Sequence, residues 1–418
     1  MENILKQLKG PKGLSKNLIK WLIISSFVGA AGGGIGALFV LSVQWGNAIW
    51  KAHSWLTFCL PLGGVLIVFL YQLAHFEQIK GTNRIIENVR HKEELPYIVG
   101  PLIFISTCIT HLLGGSAGRE GAAIQIGGAL GTVAGKIFRL DRKDMSLVVL
   151  SGVSGLFAAL FGTPITATIF ALEVISVGVF SYSGLIPCLV SALTAYGVSS
   201  LLPVQREAWA FASMPEIGPV SLFKVGILGV FCALLSVVFI LSLDYTKEFF
   251  HRQFKNPYVR IIIGGVLLSL LSLVFSSGIY NGSGTQTIAR ALEGEANYWD
   301  FAVKILFTSI TLGVGFKGGE IIPTFFIGAT MGCLLGPLLG LPPGFCAAIA
   351  LIATFCGGVN CPIASLFLSV ELFGSEGLLF FAVAIAVSYL LSGYYSLYGS
   401  QTILYSKTKA EFINRKAH

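Results

Sequence analysis

The chain has 418 residues, of which 54% are hydrophobic and only 11% charged, and its mean hydropathy is +0.79. An ordinary soluble domain carries roughly 25% charged residues, so this composition describes a membrane protein and excludes a disordered chain, a secreted disulfide scaffold and a cytosolic enzyme. The net charge of +8 does not point to nucleic acid, because the cations gather at the ends of apolar segments.

In chain order, Lys6, Lys9, Lys12, Lys16 and Lys20 precede the first apolar run, and Lys407, Lys409, Arg415 and Lys416 close the chain. The positive-inside rule puts both termini in the cytoplasm and requires an even number of crossings. The first run, Trp21–Val43, is long and leads into further apolar sequence, unlike a cleaved signal. Long runs follow at Leu56–Leu73, Ile98–Leu113, Leu185–Leu202, Val225–Leu243 and Leu378–Leu391. Shorter ones lie at Ala122–Ile137, Leu147–Leu160, Ile165–Val174, Thr324–Leu338, Ala347–Phe355 and Ile363–Val370. A spanning helix needs about 20 apolar residues, so the shorter runs are expected to be tilted, re-entrant or broken within the membrane. The 50 glycines fit close helix contacts and interrupted helices. The eight cysteines show no paired spacing. Most sit in apolar runs as small hydrophobes, so neither a metal site, a disulfide framework nor any cofactor is expected.

An internal repeat organises the chain. Gly115-Ser-Ala-Gly118-Arg-Glu120 matches Gly315-Phe-Lys-Gly318-Gly-Glu320 at an offset of 200. Pro164 to Glu173 resembles Pro362 to Glu371 at 198, and Gly81-Thr82-Asn83-Arg84-Ile85 echoes Gly284-Thr285-Gln286-Thr287-Ile288 at 203. Three matched elements in one order predict an all-α membrane protein forming a single transport domain over 1–418. Its two homologous halves, 1–210 and 211–418, are expected to be inverted relative to each other. Transporter repeats place substrate between the halves, against broken helices.

Both copies of the strongest motif set glycines and a carboxylate directly before an apolar helix, at Glu120-Gly121-Ala122 and at Glu320-Ile321-Ile322-Pro323. The free amides and positive dipole end of such a helix attract an anion. Two such ends meeting in a membrane make an anion site without a fixed cation, so that the ion is bound but still released. A membrane carboxylate there defaults to function. Ionised, Glu120 competes with the anion as a tethered mimic; protonated, it is neutral and swings away, which links anion entry to proton uptake. The bland alternative for both glutamates is a structural carboxylate complementing the helix dipole.

Gly118-Arg119-Glu120-Gly121 resembles the gating-glutamate motif of the CLC family of anion channels and transporters. The stretch from Gly319 to Ala329 is similar to that family's other anion-site motif, and Tyr398 matches its pore tyrosine in position. The resemblance implies a homodimer in the lipid bilayer with one anion pathway per subunit; the family's cytoplasmic nucleotide-binding tail has no counterpart in these 418 residues. Chloride members carry Gly-Ser-Gly-Ile-Pro where this chain has Gly81 to Ile85. Chloride exchangers also carry a proton-transfer glutamate where this chain has Val174, and a carboxylate at the Glu320 position is unusual for them. These departures resemble the fluoride/proton antiporter branch, although that branch commonly has Met or Asn at the Thr82 position and Thr at the Ile322 position.

The expected site is therefore Glu120 and Glu320 for gating and proton transfer, with Thr82, Asn83, Gly121, Ala122, Ile321, Ile322 and Tyr398 around the anion. Thr82 and Asn83 offer hydrogen-bond donors to a strongly hydrated ion, although Thr82 also suits a helix cap. Arg119 is read as orienting or neutralising, Glu173 and Glu371 as structural, and His111 has no assigned role. The expected function is fluoride export driven by inward proton flow in a bacterial plasma membrane. The alternatives are chloride/proton exchange or a passive anion channel of the same fold. An intramembrane enzyme is disfavoured because no His-Glu-x-x-His or phosphate loop occurs, and a bare scaffold does not account for a duplicated membrane carboxylate.

Overall fold

The computed structural model describes residues 2–76, 81–91, 95–204, 209–275 and 278–418. The first half contains helices α1 (Glu2–Ala52), α2 (Leu60–Leu73), α3 (Thr82–His91), α4 (Val99–Leu112), α5 (Glu120–Ile137), α6 (Arg142–Phe161), α7 (Pro164–Glu173) and α8 (Leu185–Ser200). The second repeats the series with α9 (Pro219–Gln253), α10 (Pro257–Val274), α11 (Thr285–Glu293), α12 (Asp300–Val314), α13 (Ile321–Leu339), α14 (Pro343–Val359), α15 (Pro362–Phe373) and α16 (Leu378–Leu391). Among the described residues, seven helical stretches are long and apolar enough to cross a membrane.

Local chemistry sets the boundaries. Proline lies in the first turn of α2, α7, α9, α10, α14 and α15, where its missing N–H costs nothing. The Asp141 carboxylate caps α6 by accepting from the amides of Lys143 and Asp144 at 2.9 and 2.8 Å; these amides, together with Lys20 and Lys143, hold it below the usual carboxylate range. Helix α6 ends at Gly162 in the left-handed region, φ 74°. Helices α4 and α12 have 14 and 15 residues, or about 21–23 Å at 1.5 Å per residue. That is too short for a hydrocarbon core of about 30 Å, so each stops inside the protein and hands over to α5 or α13.

The halves pack alike, with α5 on α6 and α1 on α8 in one, and α13 on α14 and α9 on α16 in the other. Glycine permits the closest of these contacts: a Cβ on Gly127 of α5 would lie 2.5 Å from the Gly152 carbonyl oxygen of α6. Equivalent elements also meet across the halves. Glu173, the last residue of α7, accepts from the Ile363 and Ala364 amides at 3.2 and 2.8 Å. Glu371, near the end of α15, accepts from Ile165 and Thr166 at 3.0 and 2.8 Å. Each carboxylate caps the start of the other helix, so α7 and α15 run antiparallel, the inverted relation expected of the repeat.

Helices α10 and α12 were not among the apolar runs read from the sequence. Asp300, Lys304 and the hydroxyls of Thr308, Ser309 and Thr311 break the pattern of α12, yet all five are buried. A small sheet was also unforeseen: β1 (Ser176–Val177) pairs parallel with β2 (Thr402–Tyr405), which pairs antiparallel with β3 (Phe412–Lys416). Lys20 of α1 pairs with Asp144 at the start of α6, Ser146 with the Val89 carbonyl, and Arg90 with Thr402. The Lys20 end of α1 and the C-terminal hairpin therefore share one face. Large apolar side chains such as Leu62, Phe223 and Leu338 stay exposed on the periphery, as expected of helices solvated by lipid.

Candidate functional site

The two glycine–carboxylate motifs meet in the protein interior. Gly118 and Gly319 exchange backbone hydrogen bonds, each 2.7 Å long, in an isolated antiparallel bridge. This contact has no room for side chains: a Cβ on Gly319 would sit 2.5 Å from the Gly121 nitrogen. The bridge sets the first turns of α5 and α13 against each other. The first helical hydrogen bonds there run from Ala123 to the Arg119 carbonyl and from Thr324 to the Glu320 carbonyl. The amides of Gly121, Ala122, Ile321 and Ile322 come before them and have no acceptor one turn back, and Pro323 has no N–H.

Glu120 lies in this cradle and is fully buried. Its Oε2 accepts from the Arg119 amide at 3.0 Å and from the Ile322 amide of the opposite half at 3.4 Å. Its Oε1 has no partner. The Oε2 of Glu320 is likewise enclosed and unpartnered, and it packs against the backbone of Gly121, 3.1 Å from where a Cβ would stand. Among the described residues these are the only carboxylate oxygens buried without a partner. The hydroxyl of buried Tyr398 is also unpartnered. Such atoms are exceptions in folded proteins, and a carboxylate lodged on opposed helix starts occupies a place suited to an exchangeable anion.

The remaining expected residues divide between the cradle and its support. Thr82 is buried at the start of α3, and its hydroxyl donates to the Gly121 carbonyl at 3.4 Å, which also accepts from Gln125 at 3.1 Å. Asn83 instead accepts from the Ser400 amide at 2.9 Å and ties α3 to the loop that carries Tyr398. Three further residues escaped the sequence reading. His111, left unassigned, stands 3.2 Å from both Asn47 Oδ1 and the Gly118 carbonyl, joining the turn before α5 to α1. Lys304 is fully buried and donates to the carbonyls of Tyr280 and Gly282 at 3.1 and 2.8 Å; a lysine flanked by apolar sequence is the signal that would have found it. Gln401 holds the Tyr398 turn, and nothing local in the sequence announces that.

A vestibule of about 1420 Å³ leads from Lys51 and Trp55 down to His111, Arg119 and Ile322. Among the described residues, the charged side chains lining it are Lys51, Arg119 and Arg290, with no carboxylate, so its field favours anions.

Residues 62–393 match the family model described as voltage gated chloride channel. The chain is 34% identical over 397 residues to a chloride/fluoride channel protein of Pseudomonas syringae pv. tomato, covering 93% of this chain and 88% of that protein. It is 25% identical over 389 residues to the H(+)/Cl(-) exchange transporter ClcA of Yersinia pestis, covering 84% and 80%. Its fold superposes on the crystal structure of a CLC-type fluoride/proton antiporter with a TM-score of 0.89 and 32% identity, over 92% of this chain and 98% of the other. The chain is thus an integral membrane protein and belongs to the voltage gated chloride channel, or CLC, family.

Proposed function

We propose that this protein is a fluoride/proton antiporter that exports fluoride on inward proton flow. The observation that carries the reading is the Glu120 carboxylate held by the Ile322 amide of the opposite half. Glu120 there mimics the anion, and on taking up a proton it loses its charge and its claim on those amides. The likeness to a fluoride/proton antiporter structure and to a chloride/fluoride channel protein supports the anion and the coupling. In this reading Glu320 receives the displaced Glu120 and eases its return, Tyr398 and Thr82 border the path, and Arg119 orients the gating turn. The repeats 1–210 and 211–418 form one transport domain, and each subunit of a homodimer has its own pathway. The cationic face shared by Lys20 and the C-terminal hairpin lies in the cytoplasm of a bacterial cell, with the vestibule outside.

The test is efflux of fluoride and of chloride from liposomes containing the purified protein, with simultaneous proton recording. Fluoride efflux faster than chloride and matched by proton movement is expected. Equal or faster chloride flux would make the protein a chloride/proton exchanger, and anion flux without protons would make it a channel.

A further inference from the structure

The turn that leads into Glu120, residues 113–119 between α4 and α5, is held along its length. The Gly115 amide donates to the Thr110 carbonyl at 2.8 Å. Ser116 is tied to α12: its amide donates to the Thr311 hydroxyl at 3.3 Å, and its own hydroxyl lies 3.0 Å from that of Thr308. Gly118 takes part in the bridge with Gly319.

The Gly118 carbonyl has a second partner. His111, in the last turn of α4, reaches across the turn and brings its Nε2 to 3.2 Å from that oxygen, which already accepts from the Gly319 amide at 2.7 Å. A carbonyl has no proton to give, so Nε2 carries the hydrogen and donates it. The other ring nitrogen, Nδ1, stands 3.2 Å from the side-chain amide of Asn47 in α1. That amide can turn either its oxygen or its nitrogen to the ring. The imidazole is therefore pinned between α1 and the turn.

Three observations set His111 apart from a histidine that only fills space. It is fully buried, and taking a polar ring out of water costs free energy that an apolar side chain of similar size does not incur. The carbonyl it holds is already satisfied by Gly319, so the bond does not rescue an orphaned group. The held residue also touches the gate, because Glu120 Oε2 rests so closely on the Gly118 α-carbon that a Cβ there would overlap it. Any shift of Gly118 moves the surface on which the carboxylate sits.

We propose that His111 is a positioning residue for the gate, whose Nε2–H keeps the Gly118 carbonyl, and with it the Glu120 carboxylate, in the anion's place. This rests on the antiporter reading and adds to it the group that stops anions slipping past while Glu120 is ionised. Without the bond, the Gly118 carbonyl keeps only one of its two donors, and Glu120 leaves its seat without first taking a proton.

The experiment records fluoride efflux and proton movement together in liposomes carrying wild type, His111→Gln or His111→Asn. The glutamine amide nitrogen reaches about as far as Nε2, and that of asparagine only about as far as Nδ1. The pair therefore separates the bond to Gly118 from the bond to Asn47. In His111→Asn, fluoride leak without protons should rise by up to about tenfold, the worth of one hydrogen bond, and the proton-to-anion ratio should fall. His111→Gln should keep a ratio close to wild type, and the two variants should melt alike. The proposal is overturned unless asparagine leaks more than glutamine; equal ratios, kept or lost, would mean that the ring only packs. Wild-type liposomes that pass no fluoride, or pass it without protons, would defeat the antiporter reading instead. Should the two variants not fold, nitrogen NMR reads the ring directly. Of the six histidines, the other five are replaced by glutamine and the ring nitrogens of His111 are recorded. A proton on Nε2 is expected, and a bare Nε2 overturns the proposal.

Discussion

The side-chain amide of Gln401 donates to the carbonyl of Val174 at 3.0 Å, the residue that the family resemblance sets against a proton-transfer glutamate of chloride exchangers. The same nitrogen donates to the Val359 carbonyl at 3.0 Å, while Oε1 accepts from Asn360 and Ser396 at 3.1 and 2.9 Å. All four of its hydrogen-bonding positions are filled. The Gln401 backbone amide also donates to the Tyr398 carbonyl at 2.8 Å. One buried side chain thus clamps the Tyr398 turn to the ends of α7 and α14. Gln401→Leu would take the side-chain donor from the Val174 carbonyl, at about 1–3 kcal/mol, and leave the Val359 carbonyl with only the weaker Cys361 thiol. A lower melting temperature in detergent and a changed proton-to-anion ratio in liposomes are expected; if neither moves, the clamp has no part in transport.

The Gly118–Gly319 bridge makes a steric prediction. In Gly319→Ala the new Cβ would lie 2.5 Å from the Gly121 nitrogen and 2.8 Å from the Glu120 nitrogen. Both are backbone atoms and cannot turn aside, so the bridge must open and the cradle with it. Transport should fall at least about tenfold, since misplacing reacting groups by about 1 Å can cost a hundredfold. Gly197→Ala in α8 is the control, because its Cβ would meet nothing within 4 Å. That change should leave flux intact and stabilise the protein by up to about 1 kcal/mol.

These motifs were legible because their chemistry is local: glycines, a carboxylate and an apolar helix start follow one another in both halves. The support around them was not. Asn83 offered donors on paper but uses its oxygen on Ser400, a residue more than three hundred positions away. Gln401 reads as an ordinary polar residue until the fold brings Val174 and Val359 to it. Helix α12 was hidden by Lys304, whose charge ended the apolar run although two carbonyls receive it in the interior. The hairpin of β2 and β3 was missed because its strands have only four and five residues and the basic residues Lys407, Lys409, Arg415 and Lys416 read as a closing tail.

Glu173 and Glu371 differ from Glu120 and Glu320 in that both oxygens of each are bonded to amides. Each caps a helix start in the opposite half, an arrangement that suits the structural role expected of both. Alanine at either position should cost about 1–2 kcal/mol, in the range of a lost helix cap, and leave the proton-to-anion ratio unchanged. The two caps lie at opposite ends of the ten-residue α7, about 15 Å apart. Beyond about 7–10 Å such losses add, so the double variant should show the sum of the single losses in denaturant or thermal unfolding. A changed coupling ratio would mean that one of these carboxylates handles protons.

Glu120 and Glu320 are separated by parallel substitutions. Glutamine at 120 keeps the shape of the side chain but can neither ionise nor carry a proton, and its neutral carbonyl is a weaker claimant on the Ile322 amide than a carboxylate. Glu120→Gln should abolish proton movement coupled to anion flux, whether or not passive anion flux persists. Proton pumping against an anion gradient in that variant would rule out the assigned role. Glu320 Oε2 is enclosed beside Gly121 with no donor, which suits a group that meets Glu120 only during the cycle. Glu320→Gln should therefore slow turnover about tenfold or more, the low end of what a positioned proton-transfer group contributes, with little change in melting temperature. Unaltered turnover would leave Glu320 as a carboxylate that only complements the start of α13.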